Sequence, residues 1–210
     1  MGYKTNVFIN CPFDTAYREL LEKLIFILSF YEFEVLMSVN KSSADDRLLE
    51  ITKLIRDSKF SFHDLSRHIS SKKDEIARFN MPFEFGIDFG CYQFDKQRKD
   101  KIIALIDSSP HSYDVHISDM SGRDILYHYN NAEYLFEIIP TWLRKHTAYL
   151  YDSPKRLKGY HMSWIEDYKI AVKEIGYDLR SINKIDIGIY IKVLKRWIPV
   201  WKKENKYSIP

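Results

Sequence analysis

Glu84 stands in the stretch Phe-Asn-Met-Pro-Phe-Glu-Phe-Gly-Ile-Asp-Phe-Gly, residues 79–90, a carboxylate among large apolar side chains. A charge in such a setting must be paired, protonated or turned to a cleft, because stranding it in apolar surroundings is costly. One chemistry that uses such a group is cleavage of a glycosidic bond, in which a carboxylate attacks the anomeric carbon or faces the developing oxocarbenium ion. The structural reading beside it is a glutamate near a helix N-terminus, held by the helix dipole or by Arg78. Pro82 suits the first turn of a helix. Met81, Phe83, Phe85 and Phe89 put apolar surface on more than one face, which predicts a buried helix.

Two further stretches carry polar groups at places where a ligand could meet them. In Asp64-Leu65-Ser66-Arg67 the Asp and Ser suit a ribose hydroxyl or a second carboxylate role, and Arg67 suits a phosphate or Glu84 itself. The same residues also make an ordinary strand-to-loop cap. In Asn10-Cys11-Pro12-Phe13-Asp14, Asn10 can donate to a base or sugar while Asp14 caps a following helix. Glu50 suits a distal acid for a leaving base, or an ordinary surface charge beside Arg47. His63 reads as a partly buried histidine with its partners satisfied. His111, His116 and His128 are too scattered for a metal, and Cys11 and Cys91 form neither a CxxC nor a zinc spacing.

The elements that must position these groups alternate. Val7–Asn10 reads as a strand, and Tyr17, Leu20, Leu21, Leu24, Ile25 and Leu28 repeat with helical spacing. Residues 33–39 read as a strand, 45–57 as an amphipathic helix and 60–65 as a third strand; the Glu84 helix and the run Lys101–Ile106 follow. Strand and helix in turn predict an α/β, doubly wound parallel sheet, with ligands beyond the carboxyl ends of its strands. That rule gathers the Asn10 loop, the Asp64 loop and the start of the Glu84 helix at one crevice. A helix is expected near 118–125, and further helices over 135–144, 162–175 and 186–201. The linker 148–159 divides an α/β domain, 1–147, from a helical C-terminal extension, 148–210.

Composition narrows the classes. The chain has 210 residues, 45% hydrophobic and 15% aromatic, as a well-filled globular core requires. A net charge of +3 gives no overall signature for nucleic acid; the six basic residues against one acidic between Lys192 and Lys206 read as the solvated end of a terminal helix. No apolar run reaches the roughly 20 residues that span a bilayer, and no signal region opens the chain, so a cytoplasmic protein without membrane contact is expected.

Three segments together, Val-Phe-Ile-Asn-Cys-Pro-Phe-Asp (7–14), Phe-His-Asp-Leu-Ser-Arg (62–67) and Arg-Phe-Asn-Met-Pro-Phe-Glu-Phe-Gly (78–86), resemble a bacterial family related to nucleoside 2-deoxyribosyltransferases and, more distantly, to TIR domains. The resemblance spans roughly residues 5–145. It implies a flavodoxin-like fold, with Glu84 of Glu84-Phe85-Gly86 as the nucleophile that takes the sugar. It implies Asp64 and Glu50 as further catalytic groups, Glu50 by spacing only. Asn10, Pro12, Phe13, Ser66, Arg67, Asn80 and Met81 would contact the substrate, with Asn80 standing where the transferases carry an Asp. The implied substrate is a nucleoside, nucleotide or NAD-like molecule, with no resident cofactor or metal. A homo-oligomer, and an antiviral defence role with a protein partner, follow from the same resemblance. The alternative is a module that binds a nucleotide without turnover and signals through its C-terminal helices.

Overall fold

The computed structural model describes residues 2–38, 44–66, 79–110 and 124–210. Five strands form one all-parallel sheet: β1 (Asn6–Asn10), β2 (Glu34–Leu36), β3 (Phe60–Asp64), β4 (Ile102–Asp107) and β5 (Ile125–Tyr127), in the order β2-β1-β3-β4-β5. This is the flavodoxin-like order, so the α/β doubly wound class expected from the alternation is the one found. The helices are α1 (Arg18–Phe30), α2 (Ala44–Arg56), α3 (Asn80–Phe94), α4 (Leu135–His146), α5 (Pro154–Glu174) and α6 (Ile187–Glu204). The helix expected near 118–125 lies mostly outside the described residues, and its last position, Ile125, begins β5.

The chain forms two compact units, Met1–Pro12 with Phe33–Asn130, and Phe13–Glu32 with Asn131–Pro210. Both are discontinuous in sequence, because α1 groups with the C-terminal helices. In the first unit, β1 and β3 run in register with Asn10 opposite His63, and β3 and β4 with Asp64 opposite Ile106. Alternation along the strands then sends Phe8, Asn10, His63 and Leu105 to one face and Phe62 and Asp64 to the other. On the first of these faces Phe8 packs with Ile51 and Ile55 of α2, and Leu105 with Met81 and Phe85 of α3.

Helix α3 departs from the expectation of a helix buried all round. Its buried positions are Met81, Glu84, Phe85 and Asp88, spaced as one face, whereas Phe83 and Phe94 are exposed. The apolar richness of the sequence therefore covers one face and still leaves phenylalanines in solvent.

The second unit packs α1, α4, α5 and α6 around aromatic rings. Trp164 donates from Nε1 to the Tyr190 hydroxyl at 2.8 Å, and Tyr190 donates to the Glu22 carbonyl at 3.1 Å. Helix α5 starts eight residues before the expected Met162. Ser153 caps it, accepting from the Arg156 N–H, and Pro154 takes the first position, so the segment read as linker is the helix start. Asp186 caps α6 through the Gly188 N–H at 2.8 Å.

His161 of α5 is buried between the rings of Phe26 and Phe136, with centroids 4.9 and 5.2 Å away. Burial, aided by the Lys23 charge, lowers its pKa to about 4. Between that value and the ordinary 6.5 an unfolded chain binds a proton that the native ring refuses, so stability falls as pH drops through this window. We expect up to about 3 kcal/mol to be lost between pH 7 and pH 4. Denaturant unfolding measured across that range checks it, and His161→Met should flatten the dependence by a similar amount.

Candidate active site

The site is built from one buried network in the sheet unit. Asn10 ends β1, and its Nδ2 lies 2.9 Å from the carbonyl oxygen of Met81 and 3.0 Å from Nδ1 of His63. A carbonyl only accepts, so the nitrogen of the amide must face Met81. The second amide hydrogen then points at His63 Nδ1, which accepts it and leaves the ring hydrogen on Nε2. That atom meets Asp88 Oδ2 at 2.9 Å. The other Asp88 oxygen pairs with the Lys101 ammonium at 3.0 Å.

Lys101 closes the chain of contacts. Its ammonium also donates to the carbonyls of Ile55 at 2.7 Å and Ser58 at 2.6 Å, at the end of α2. Two carbonyls accept from the ammonium while the Asp88 carboxylate balances its charge, and carbonyls at the end of α2 gain a cation. Burial pushes the Asp88 carboxyl up, but the His63 hydrogen bond and the Lys101 charge outweigh it and hold its pKa below the ordinary carboxylate value. His63 is fully buried, deeper than the partly buried histidine expected.

Glu84 sits one helical turn before Asp88 on the same face and is 8% exposed. Among the described residues no hydrogen bond reaches its carboxylate. Burial raises its pKa to about 6, against a smaller opposing pull from Arg47 of α2. Arg78, the partner considered from sequence, lies outside the described residues, as does Arg67. A buried, sparsely compensated carboxylate of this kind can attack a carbon centre or face a developing cation.

The other expected site residues divide by position. Asp64 ends β3 on the sheet face opposite His63; its Oδ1 accepts from the Ser66 N–H at 2.8 Å and its Oδ2 lies 3.2 Å from His128 Nε2. His128 in turn accepts at Nδ1 from the Asn130 N–H, which orients the ring. Glu50, half-buried on α2, accepts from the Ser38 hydroxyl at 3.3 Å. Asn80 is the exposed first residue of α3, and Met81 is buried and meets Asn10 through its carbonyl. Pro12 is buried, Ser66 is half-buried, and Phe13 is exposed and belongs to the second unit.

Asp88, Lys101 and the pairing of His128 with Asp64 were missed in the sequence. Asp88 carried the same signal as Glu84, a carboxylate in an apolar helix, one turn further on. Among the described residues no group of His, Cys, Asp and Glu could hold a metal ion, and no helix is long and apolar enough to cross a membrane.

Two measurements follow from these contrasts. Asp88→Asn strands the Lys101 charge and should cost about 3–5 kcal/mol in urea unfolding, whereas adding Lys101→Met should recover much of it. A ¹³C titration of the side-chain carboxyls should find Glu84 near pH 6, and Arg47→Ala should move it higher still. Glu84→Gln should stabilise the fold above pH 7 by about 1 kcal/mol after solvent screening. No family model, curated protein or solved structure matches this chain.

Proposed function

We propose that the protein cleaves or transfers the N-glycosidic bond of a nucleoside, nucleotide or NAD-like molecule, with Glu84 acting at C1′ of the sugar. The observation that carries this reading is the Glu84 carboxylate, buried on α3 and held near a pKa of 6. The likeness of Glu84-Phe85-Gly86 to the nucleophile motif of deoxyribosyltransferases supports the same assignment. At neutral pH the group is mostly ionised, the form a nucleophile needs.

In the first step a Glu84 oxygen forms a bond to C1′ while the bond from C1′ to the base nitrogen breaks, and its electron pair leaves with the base. In the second, water or another base attacks C1′ and frees the carboxylate. The buried Asn10–His63–Asp88–Lys101 network serves this chemistry by positioning, since Asn10 grips the carbonyl of Met81, three residues before Glu84. A cytoplasmic defence effector acting as a homo-oligomer is the setting that the resemblance favours.

Incubating the full-length protein with NAD and with deoxynucleosides, and following released base by chromatography, tests the proposal. Glu84→Gln should lower turnover at least about a hundredfold. The rate should fall about tenfold per pH unit below 6, as the nucleophile becomes protonated. Saturable binding of these compounds with no base released would instead favour a nucleotide-sensing module.

A further inference from the structure

The helical unit contains a cavity of about 510 Å³ beside the start of α5, the end of α6 and the turn that follows it. We propose that it is a binding site for a planar ring carrying a phosphate, a ligand of the nucleoside monophosphate class. The site is separate from Glu84 and does not depend on the glycosidic reading.

The electrostatic argument begins with Asp152, the acidic side chain in the cavity wall, which is 4% exposed. Its carboxylate already accepts from Tyr207 at 2.5 Å, Tyr31 at 3.3 Å and Tyr160 at 3.4 Å, and the Arg156 guanidinium stands 3.4 Å away. With these donors around it, Asp152 holds the tyrosine hydroxyls in place and has little left to offer a cationic ligand. At the end of α6 three carbonyls are taken as well. The carbonyls of Trp201, Lys202 and Lys203 accept from the N–H groups of Asn205, Tyr207 and Lys206. Arg156, with its side chain 65% exposed, and the exposed Lys206 therefore set two cations against the one acidic side chain of the cavity wall.

The apolar wall supplies the second half of the recognition. Tyr160, Trp201 and Tyr207 have ring centroids 4.9 to 6.2 Å apart and planes inclined by 53° to 75°. The chain after α6 is tied back by the Leu150 N–H, which donates to the main-chain oxygen of Pro210 at 3.2 Å. Guanidinium and ammonium groups suit a phosphate, and aromatic walls suit a flat ring. A volume of this size lies within the range of small-ligand pockets.

Isothermal titration of the full chain with 5′-AMP, adenosine and inorganic phosphate tests the proposal. AMP should bind at least about tenfold more tightly than either fragment, and Arg156→Ala and Lys206→Ala should each weaken it by about tenfold. Trp201→Phe should weaken AMP while leaving phosphate unchanged. Near-UV circular dichroism on each variant separates lost binding from lost fold. Equal binding of AMP and phosphate, AMP affinity indifferent to both cation substitutions, or no saturable binding at millimolar AMP would each overturn it.

Discussion

The sheet unit depends on neutralising one buried carboxylate, Asp88. A charge with no exposure would be intolerable alone, and it is accommodated because His63 from β3 and Lys101 from the start of β4 meet its two oxygens. Those partners have further commitments of their own. His63 is held by Asn10 of β1, and Lys101 by carbonyls at the end of α2. One ionic centre thus ties three neighbouring strands to both helices on that face, and a shift in any one of them would leave a buried polar group unpaired.

The same centre explains why Glu84 differs from Asp88 although they share a helix face. Asp88 lies where two partners, His63 and Lys101, converge, so its charged form is favoured. One turn earlier, Glu84 has burial opposed, among the described residues, by the smaller pull of Arg47, so its charged form is disfavoured. Two carboxylates are pushed in opposite directions: the compensated one holds the helix, and on the proposed reading the other serves the ligand. Retaining a costly charge beside a satisfied one is intelligible when the cost serves a reaction.

The fold was legible because it rests on local periodicity. Strands β1, β3 and β4 are short apolar runs between helices with clear spacing, and their alternation dictates a parallel sheet. Strand β5, three residues long, carries too little pattern to be read. The start of α5 was obscured because Ser153-Pro154 signals a turn and a helix cap equally well. Glu84 was legible because a carboxylate among apolar residues stands out in the sequence itself. The partners of Asp88 were not: His63 lies 25 positions away, and only the parallel register that sets Asn10 beside His63 completes the network. Asp64 shows the limit most clearly. Its loop follows a strand end, as expected, but alternation turns its side chain to the opposite face from His63, where His128 meets it.

On the proposed reading, the Glu84 pKa also bears on which substrates suit the site. A carboxyl near 6 is mostly ionised at neutral pH, so it serves as a nucleophile and is a poor source of protons for a departing base. An ordinary nucleobase leaves as an anion unless it is protonated, and therefore asks for a separate acid. A pyridinium base leaves without one, because its ring nitrogen is already cationic and takes the bonding pair to become neutral. Its positive charge next to the sugar would also favour the ionised form of Glu84 at the moment of binding. On this reading a pyridinium base asks for one group fewer than an ordinary nucleobase does.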